Sequence, residues 1–504
     1  MAVDQGTSST RAIVYSHDGR ERGSAQLEHA QIFPRPGWVE HDAVEILANT
    51  RAVMATALTN AGATATNVCA IGIANQTETT VVWDRATGVP VYNAITWQDT
   101  RGQDFINALD LVSDEVKAVE SEVRVELNAY FSSTKICWLL ANIPGLRGRA
   151  LAGDLAFGSI ESWLCWNLSG GPRGGVHVTD VSNASRTLLM DMAELRWSDR
   201  ALKFFDIPRE LLPAIVSTSE VVATVGTDEP LAGVPIAALM GDQQAATFGQ
   251  VAFSAGEAKC TYGTGNFLIF NTGNTIVQST TGLIATVVYQ RASEAPCYGL
   301  EGSVAVTGSL IQWLRDNLQI IASSSEIEAL ARSVPDSGGV VFVPAFSGLY
   351  APRWRPDARG VVVGIRSTTT AGHIARAALE ACAFQTVELI TAIDGDWSSP
   401  LTSLRVDGGM TSNELLMQFQ ADLLGVPVIR PVITETTALG VAYSAGLAVR
   451  FWSGLDELRA HWRESHRWTP AMKEADRMFA LRRWNRAVTA SLDWVAADIP
   501  DIER

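Results

Sequence analysis

One arrangement recurs three times in this sequence and restricts its fold more than any other feature: a short apolar or β-branched run that breaks into a polar turn containing glycine. The first is Asp4-Gln-Gly-Thr-Ser-Ser-Thr-Arg11, the second Thr261-Tyr-Gly-Thr-Gly265, and the third Val406-Asp-Gly-Gly-Met-Thr-Ser-Asn413. In the first, an acid stands at a strand end, Gly6 lets backbone approach a ligand, and four consecutive hydroxyls precede the cation of Arg11. Phosphate oxygens need donors of that kind. Alone, such a segment reads equally well as a polar hairpin turn whose hydroxyls bond their own backbone. Two of the three open their respective halves and the third follows a late strand with a helix behind it, an arrangement that turns do not explain. In that third turn the helix N-terminus points at whatever the glycines admit. A two-lobed phosphoryl-transfer enzyme with nucleotide in the cleft is the economical account.

The length of 504 residues supports this, since it exceeds what one compact core accommodates. Strand-like runs alternate with helical patterns, so the fold class is α/β. Ala2 to Asp4 and Arg11 to Tyr15 read as two strands, the first unusually short, so that either translation starts further upstream or this strand is less well paired. A helix opens at Asp42, with Glu45 three residues on as a capping-box partner. Val68 to Ala74 reads as a buried strand delivering Asn75-Gln-Thr-Glu-Thr79 at its carboxyl end, the edge where open α/β sheets bind ligands. The stretches Pro235 to Met240 and Lys259 to Phe270 flank a boundary near residue 248, giving lobes 1–247 and 248–504. In the second lobe, helices are expected over Gly372 to Ile393 and from near Thr411 until Gly425 stops the apolar face of Leu415, Leu416, Phe419, Leu423 and Leu424.

Asp242 follows an apolar run and is the candidate general base, a carboxylate able to take the proton of an attacking hydroxyl. It also reads as the cap of a helix over Gln243 to Phe248, and the two roles are compatible. The net charge of -15 excludes nonspecific affinity for nucleic acid or anionic membranes. Six scattered cysteines form no metal-ligand pattern and read as reduced apolar filler. With no signal peptide and no long uncharged apolar run, the expected location is cytoplasmic, without membrane insertion. The expected assembly is a homo-oligomer.

Longer motifs carry a resemblance. Pro36-Gly-Trp-Val-Glu-His-Asp42, Ala74-Asn-Gln-Thr-Glu-Thr-Thr80, Asn93 to Gln98, Tyr130 to Lys135, Thr179 to Thr187, Gly241-Asp-Gln-Gln244, Gly308 to Asp316, Val343 to Leu349 and Gly360 to Glu380, with the three turns, resemble the FGGY carbohydrate kinases from residue 2 to about residue 470. The likeness is to the branch that phosphorylates glycerol. It implies two actin-like lobes of the ribonuclease-H type around a catalytic cleft, and transfer of the γ-phosphoryl group of ATP, with Mg²⁺, to a terminal hydroxyl of a small polyol. By the same resemblance Asp242 is the base, and Gln76, Thr77, Glu78, Tyr130, Asp242 and Gln243 meet the polyol, with Trp97 and Phe267 flanking its carbon chain. Thr7, Ser8, Ser9 and Arg11 surround the terminal phosphates, and Gly263 and Thr264 the inner ones. Gly308, Gln312, Gly409, Met410 and Asn413 line the rest of the nucleotide site. Asp4 and Asp242 serve the metal, Asp4 through water. For Trp97 and Phe267 the ordinary alternative is core packing, and for Glu78 and Tyr130 a structural hydrogen bond.

The sequence departs from the family pattern at Thr77, where the family carries an arginine that donates to the polyol. This opens the acceptor to alternatives such as erythritol, dihydroxyacetone or a ketopentose. Arg353-Trp-Arg355 replaces an aromatic-Trp-Asp element, adding two cations that read as surface decoration. The loop from Val225 to Val234 lacks the Gly-Gly-x-Arg element of sugar-bisphosphate control, and the histidine phosphorylated in some relatives is absent; neither control is expected. From another class, a silent nucleotide-binding regulator or a chaperone-like ATPase would share the lobes. The intact Asp242 opposes the first, and the polyol residues oppose the second.

Overall fold

A computed structural model describes residues 1–495. At the head of the chain β1 (Ala2–Gln5), β2 (Ser9–Tyr15) and β3 (Glu21–Glu28) form an antiparallel meander. Helix α1 (Ala43–Asn60) returns the chain so that β4 (Ile71–Asn75) lies parallel to β1. β5 (Ser219–Thr224) and β6 (Pro235–Gly241) complete a six-stranded sheet of order β5-β6-β4-β1-β2-β3, with β6 parallel to β4. All five residues of β4 are buried, as expected for a parallel strand covered on both faces.

After α2 (Asp242–Gly249), the second half builds a seven-stranded sheet. Its strands are β7 (Ala258–Tyr262), β8 (Asn266–Gly273), β9 (Ile284–Tyr289), β10 (Cys297–Val304), β11 (Leu404–Asp407), β12 (Val428–Pro431) and β13 (Glu464–Trp468). The helices between them that matter here are α3 (Gly308–Asp316), α4 (Ala371–Asp396), α5 (Glu414–Leu424) and α6 (Thr436–Ala448). The order β9-β10-β8-β7-β11-β12-β13 contains the same plan as the first sheet. In each, an antiparallel meander places its opening strand beside two parallel strands: β3-β2-β1-β4-β6 in one, β10-β8-β7-β11-β12 in the other. The recurrence of glycine-bearing turns in the sequence is the mark of this repeated topology.

The two halves are joined by more than the chain. Helix α6, late in the second half, packs on α2 and on β1, β4 and β6 of the first sheet. Glycines permit this: a Cβ at Gly440 would stand 1.8 Å from the Ala245 carbonyl oxygen, and one at Gly249 2.0 Å from that of Thr436. The resulting core combines Ala2, Ala74, Met240 and Phe248 with Val288, Leu439 and Tyr443. A second shared core sets Phe131, Leu139 and Leu189 against Ile284, Val287 and Tyr298.

Three sequence expectations change. β1 is short but fully paired, antiparallel to β2 and parallel to β4 along its whole length. Asp42 does cap α1, accepting from Val44 N at 2.8 Å, but the Glu45 carboxylate turns to Ala30 N, so no reciprocal box forms. Arg353 and Arg355 are ion-paired, the first with Glu388 and the second with Asp357 and Asp493. The expected helices hold with small changes of bounds, and Gly425, at φ 73°, ends α5 as read.

Candidate active site between the two sheets

Register brings the first group of candidates together. Gln5 pairs with Asn75 and Asn75 with Gly241, so the carboxyl ends of β1, β4 and β6 lie side by side. Asp4, the segment from Gln76 to Glu78 and Asp242 therefore share one edge, as the ligand-binding edge of a parallel sheet requires. Gln76 is fully engaged within the protein: its Nε2 lies 3.1 Å from Gln5 Oε1, and its Oε1 accepts from Thr79 at 3.0 Å. Glu78 follows with a left-handed backbone, φ 62°, which aims its buried side chain back over the sheet edge. One carboxylate oxygen of Glu78 accepts from Arg186 Nε and the other from Thr77 Oγ1 at 2.7 Å. The Thr77 methyl packs on Gly241, where a Cβ would stand 2.5 Å from it.

Asp242 is the first residue of α2, and Gly241 takes the cap position. Its Oδ1 accepts from the backbone N–H of Gln243 at 2.8 Å. Burial, and then the neighbouring Asp4, push its carboxyl up to about 7. Lys259 counters this from β7, where its buried ammonium donates to Gln243 Oε1 at 2.6 Å and Thr261 Oγ1 at 3.0 Å. Its own pKa is lowered by burial. Lys259 escaped the sequence reading because it sits in an apolar strand run, although a lysine with no exposed surface is itself a signal of paired chemistry.

An aromatic wall stands beside these carboxylates. The Trp97 ring lies 5.9 Å from Tyr130 and 5.9 Å from Phe267, both edge-on, so two rings from turns of the first half meet one from β8 of the second sheet. Trp97 Nε1 donates to Thr7 Oγ1 at 2.9 Å, which links this wall to the first turn. On the adjoining strand Ser9 Oγ accepts from Gln26, and Arg11 donates to Gln26 while ion-pairing with Glu435. The backbone carbonyl of Ser8 accepts from His29 N at 3.2 Å.

The second sheet supplies a cavity of about 510 Å³ lined by Gly263, Thr264, Gly308, Gln312, Gly409, Met410 and Asn413, all expected on the nucleotide side. Ser324, Ser325, Ile327 and Glu328 also line it and were not anticipated, since they lie in a polar stretch without a motif. A neighbouring cavity of about 370 Å³ shares Gly409 and Ser412 and reaches Thr261, Asp407, Arg430 and Glu435. Gly408, at φ 89°, lets the turn pass over Tyr262, whose backbone a Cβ would meet at 2.5 Å. The Asn413 side chain caps α5 through Leu416 N.

Among the described residues no cluster of three or more His, Cys, Asp or Glu could hold a metal alone. Asp4 and Asp242 nonetheless fit a magnesium ion that takes its other ligands from phosphate and water. Burial, and then Glu435, hold the Asp4 carboxyl up to about 7, and Asp4 in turn raises Asp242. A divalent cation would relieve that shared repulsion.

Residues 1–249 match the N-terminal domain of the FGGY family of carbohydrate kinases, and residues 258–449 its C-terminal domain. The chain belongs to the FGGY family of carbohydrate kinases. Within this family it is 58% identical to a glycerol kinase of Clavibacter michiganensis over 499 residues, covering 99% of both chains. It is likewise 58% identical to a glycerol kinase of Renibacterium salmoninarum, again with 99% of both covered. Among solved structures it is similar to Plasmodium falciparum glycerol kinase with ADP, at 38% identity, a TM-score of 0.89 and 98% of each chain. A xylulose kinase from Lactobacillus acidophilus shares the fold at 19% identity and a TM-score of 0.84, covering 97% of this chain and 98% of that one. FGGY membership accounts for the two lobes of matched topology.

Proposed function

We propose that this protein is an ATP-dependent, Mg²⁺-requiring kinase that phosphorylates a terminal hydroxyl of glycerol to give glycerol 3-phosphate. The observation that carries the reading is the convergence of Asp242 and Glu78 at one sheet edge, with the Trp97–Tyr130–Phe267 wall beside them and a glycine-lined cavity in the second half. The full-length identity to glycerol kinases supports the choice of acceptor. That no described helix is long and apolar enough to cross a membrane agrees with a cytoplasmic enzyme.

In this reading the polyol carbon chain lies against the three rings, which exclude water from the attacking oxygen. Glu78 accepts hydrogen bonds from hydroxyls of the polyol, and Gln243 and Tyr130 complete its orientation. Asp242 takes the proton of the terminal hydroxyl as that oxygen attacks phosphorus, and a carboxyl held near neutrality is matched to this exchange. Thr7, Ser8, Ser9 and Arg11 contact the γ-phosphoryl oxygens as the bond from phosphorus to the polyol oxygen forms and that to the bridging oxygen of ADP breaks, while Gly263, Thr264, Gly308, Gln312, Gly409, Met410 and Asn413 hold the departing ADP. Magnesium, when bound with the nucleotide, supplies neutralisation of phosphate charge beside Asp4 and Asp242.

Thr77 favours one variant of this reading. Its short side chain is turned to Glu78 and Gly241 and takes less room than arginine, so a four-carbon polyol such as erythritol is the alternative acceptor. ADP release measured with glycerol and with a panel of polyols tests both. Glycerol-dependent turnover is expected, and its absence sinks the primary reading.

A further inference from the structure

Arg186 is the penultimate residue of the Thr179–Thr187 motif, and nothing in the proposed reaction uses it. It has no exposed surface. Its Nε donates to Glu78 Oε1, and its Nη2 lies 3.4 Å from Glu301 Oε1. The guanidinium carbon stands 5.7 Å from the centre of the Tyr130 ring and 5.3 Å from that of Phe131. Glu301 belongs to β10 of the second sheet, and its other oxygen lies 3.4 Å from Nε2 of Gln244, on the helix that Asp242 opens. Arg186 thus sits at the seam of the two halves, between a carboxylate from each, with the shared core of Phe131, Ile284 and Val287 around it.

Each carboxylate oxygen can accept two hydrogen bonds. Arg186 and Thr77 take one position on each oxygen of Glu78, which leaves the remaining lone pairs in a fixed direction. A glutamate has three side-chain torsions, and with Thr77 alone as partner one oxygen would be unrestrained. The planar guanidinium removes that freedom, because its nitrogens stand in a rigid fork that a lysine cannot reproduce.

We propose that Arg186 is a positioning residue for the acceptor: it fixes the Glu78 carboxylate and ties it, through Glu301, to the second sheet, thereby setting polyol affinity. This rests on the reading of Glu78 as a polyol ligand. Arg186 itself acts through Glu78 and leaves the phosphoryl-transfer step to Asp242.

The test uses the full chain and whichever polyol it phosphorylates best. In Arg186→Lys the KM for polyol is expected to rise about tenfold or more, with kcat falling less than about threefold and the KM for ATP unchanged. Glu301→Gln, which preserves shape and a hydrogen-bond acceptor, should move the polyol KM in the same direction by a smaller factor. It carries the test should the lysine variant fail to fold. Combining Arg186→Lys with Glu78→Gln should add little to Glu78→Gln alone, since both act on one carboxylate. An unchanged polyol KM, a uniform loss in kcat with both KM values constant, or additive effects in the double variant would each overturn the proposal in favour of a purely structural role. A wild-type chain that turns over no polyol would instead overturn the underlying reading of function.

Discussion

The indole N–H of Trp97 donates to the hydroxyl of Thr7 across 2.9 Å, so the aromatic wall of the proposed acceptor site and the turn proposed to face the phosphates are linked by a hydrogen bond. Trp97 touches Tyr130 and Phe267 with its ring and Thr7 with its nitrogen. Trp97→Phe separates the two functions, because it retains a ring and removes the donor. The polyol KM is expected to change little, while kcat falls roughly three- to tenfold, the worth of one hydrogen bond of about 1 kcal/mol. Steady-state kinetics with each substrate varied checks this. A rise confined to the polyol KM would mean that the ring position, and not the link to Thr7, depends on the nitrogen.

Asp242→Asn keeps the shape of the side chain and its acceptor oxygen for Gln243 N but abolishes proton uptake. We expect kcat to fall by about 10²–10⁴-fold, the usual range for a general base. Without nucleotide and magnesium its melting temperature should match wild type at acidic pH and exceed it above about pH 7, where the wild-type carboxylate is ionised. A loss under tenfold, read in the coupled ADP assay, would remove Asp242 from the role of base.

Much of this site was legible in the sequence because its parts lie at strand ends, where local patterns announce a turn. The β1–β2 turn and its counterpart between β7 and β8 were both visible as glycine and hydroxyl clusters. What local patterns cannot carry is pairing across the seam: Arg186 and Glu301 are 115 positions apart, and neither neighbourhood contains a sign of the other. Asp242 shows a subtler limit. Its position before a helix reads as a cap, but β6 extends one residue further than its apolar run, so Gly241 becomes the cap and Asp242 the first helical residue. Glu45 fails as a box partner for a similar reason, since tertiary packing offers it Ala30 N, and β3 is what brings Ala30 there.

The buried carboxylates predict how stability and rate depend on pH. Asp4 and Asp242 are both raised from 3.8 to about 7, with burial as the leading cause. A carboxyl raised in the folded state binds its proton more tightly there than in the unfolded chain. Its contribution to stability is therefore complete below about pH 4 and lost as pH climbs towards 7. Without nucleotide and magnesium, these two groups should make the melting temperature decline between about pH 5 and pH 8, and Asp242→Asn should flatten that decline. In turnover the base must be ionised, so kcat/KM should rise along an acidic limb near pH 7 that reports the pair and not one residue. In Asp4→Asn the limb should move lower, since Asp4 is the second cause of the Asp242 shift. A limb that stays in place would show that burial alone sets it.

Gly440 offers a test of the helix pair that carries the base. A methyl group there would stand 1.8 Å from the carbonyl oxygen of Ala245, on the helix Asp242 opens. Gly440→Ala must push α6 away from α2, and we expect a destabilisation of about 1–3 kcal/mol by chemical denaturation. Because α6 also covers β1, β4 and β6, activity should fall further than stability alone dictates at a temperature where the variant is still folded. Full activity in the folded variant would mean that the separation of these helices has no bearing on the position of Asp242.

We expect position 77 to set which acceptor the site prefers. Thr77 donates to Glu78 and lays its methyl on Gly241, so it offers the polyol neither a charge nor reach. In Thr77→Arg the longer side chain cannot stay on Gly241 and must turn towards the aromatic wall, where its guanidinium can donate to a hydroxyl of a bound polyol. A charged hydrogen bond contributes about 1.5–3 kcal/mol in a buried site, which corresponds to a rise of roughly ten- to a hundredfold in kcat/KM for glycerol. The same side chain removes room, so the ratio of glycerol to erythritol turnover should rise at least as much as glycerol turnover itself. Loss of the Thr77 bond leaves Arg186 as partner of Glu78, which keeps the carboxylate in place. Relative kcat/KM for the two polyols, measured on wild type and variant, separates the possibilities. If glycerol turnover falls while erythritol turnover is unaffected, Thr77 is adapted to the larger acceptor, and the assignment of glycerol gives way to the four-carbon polyol.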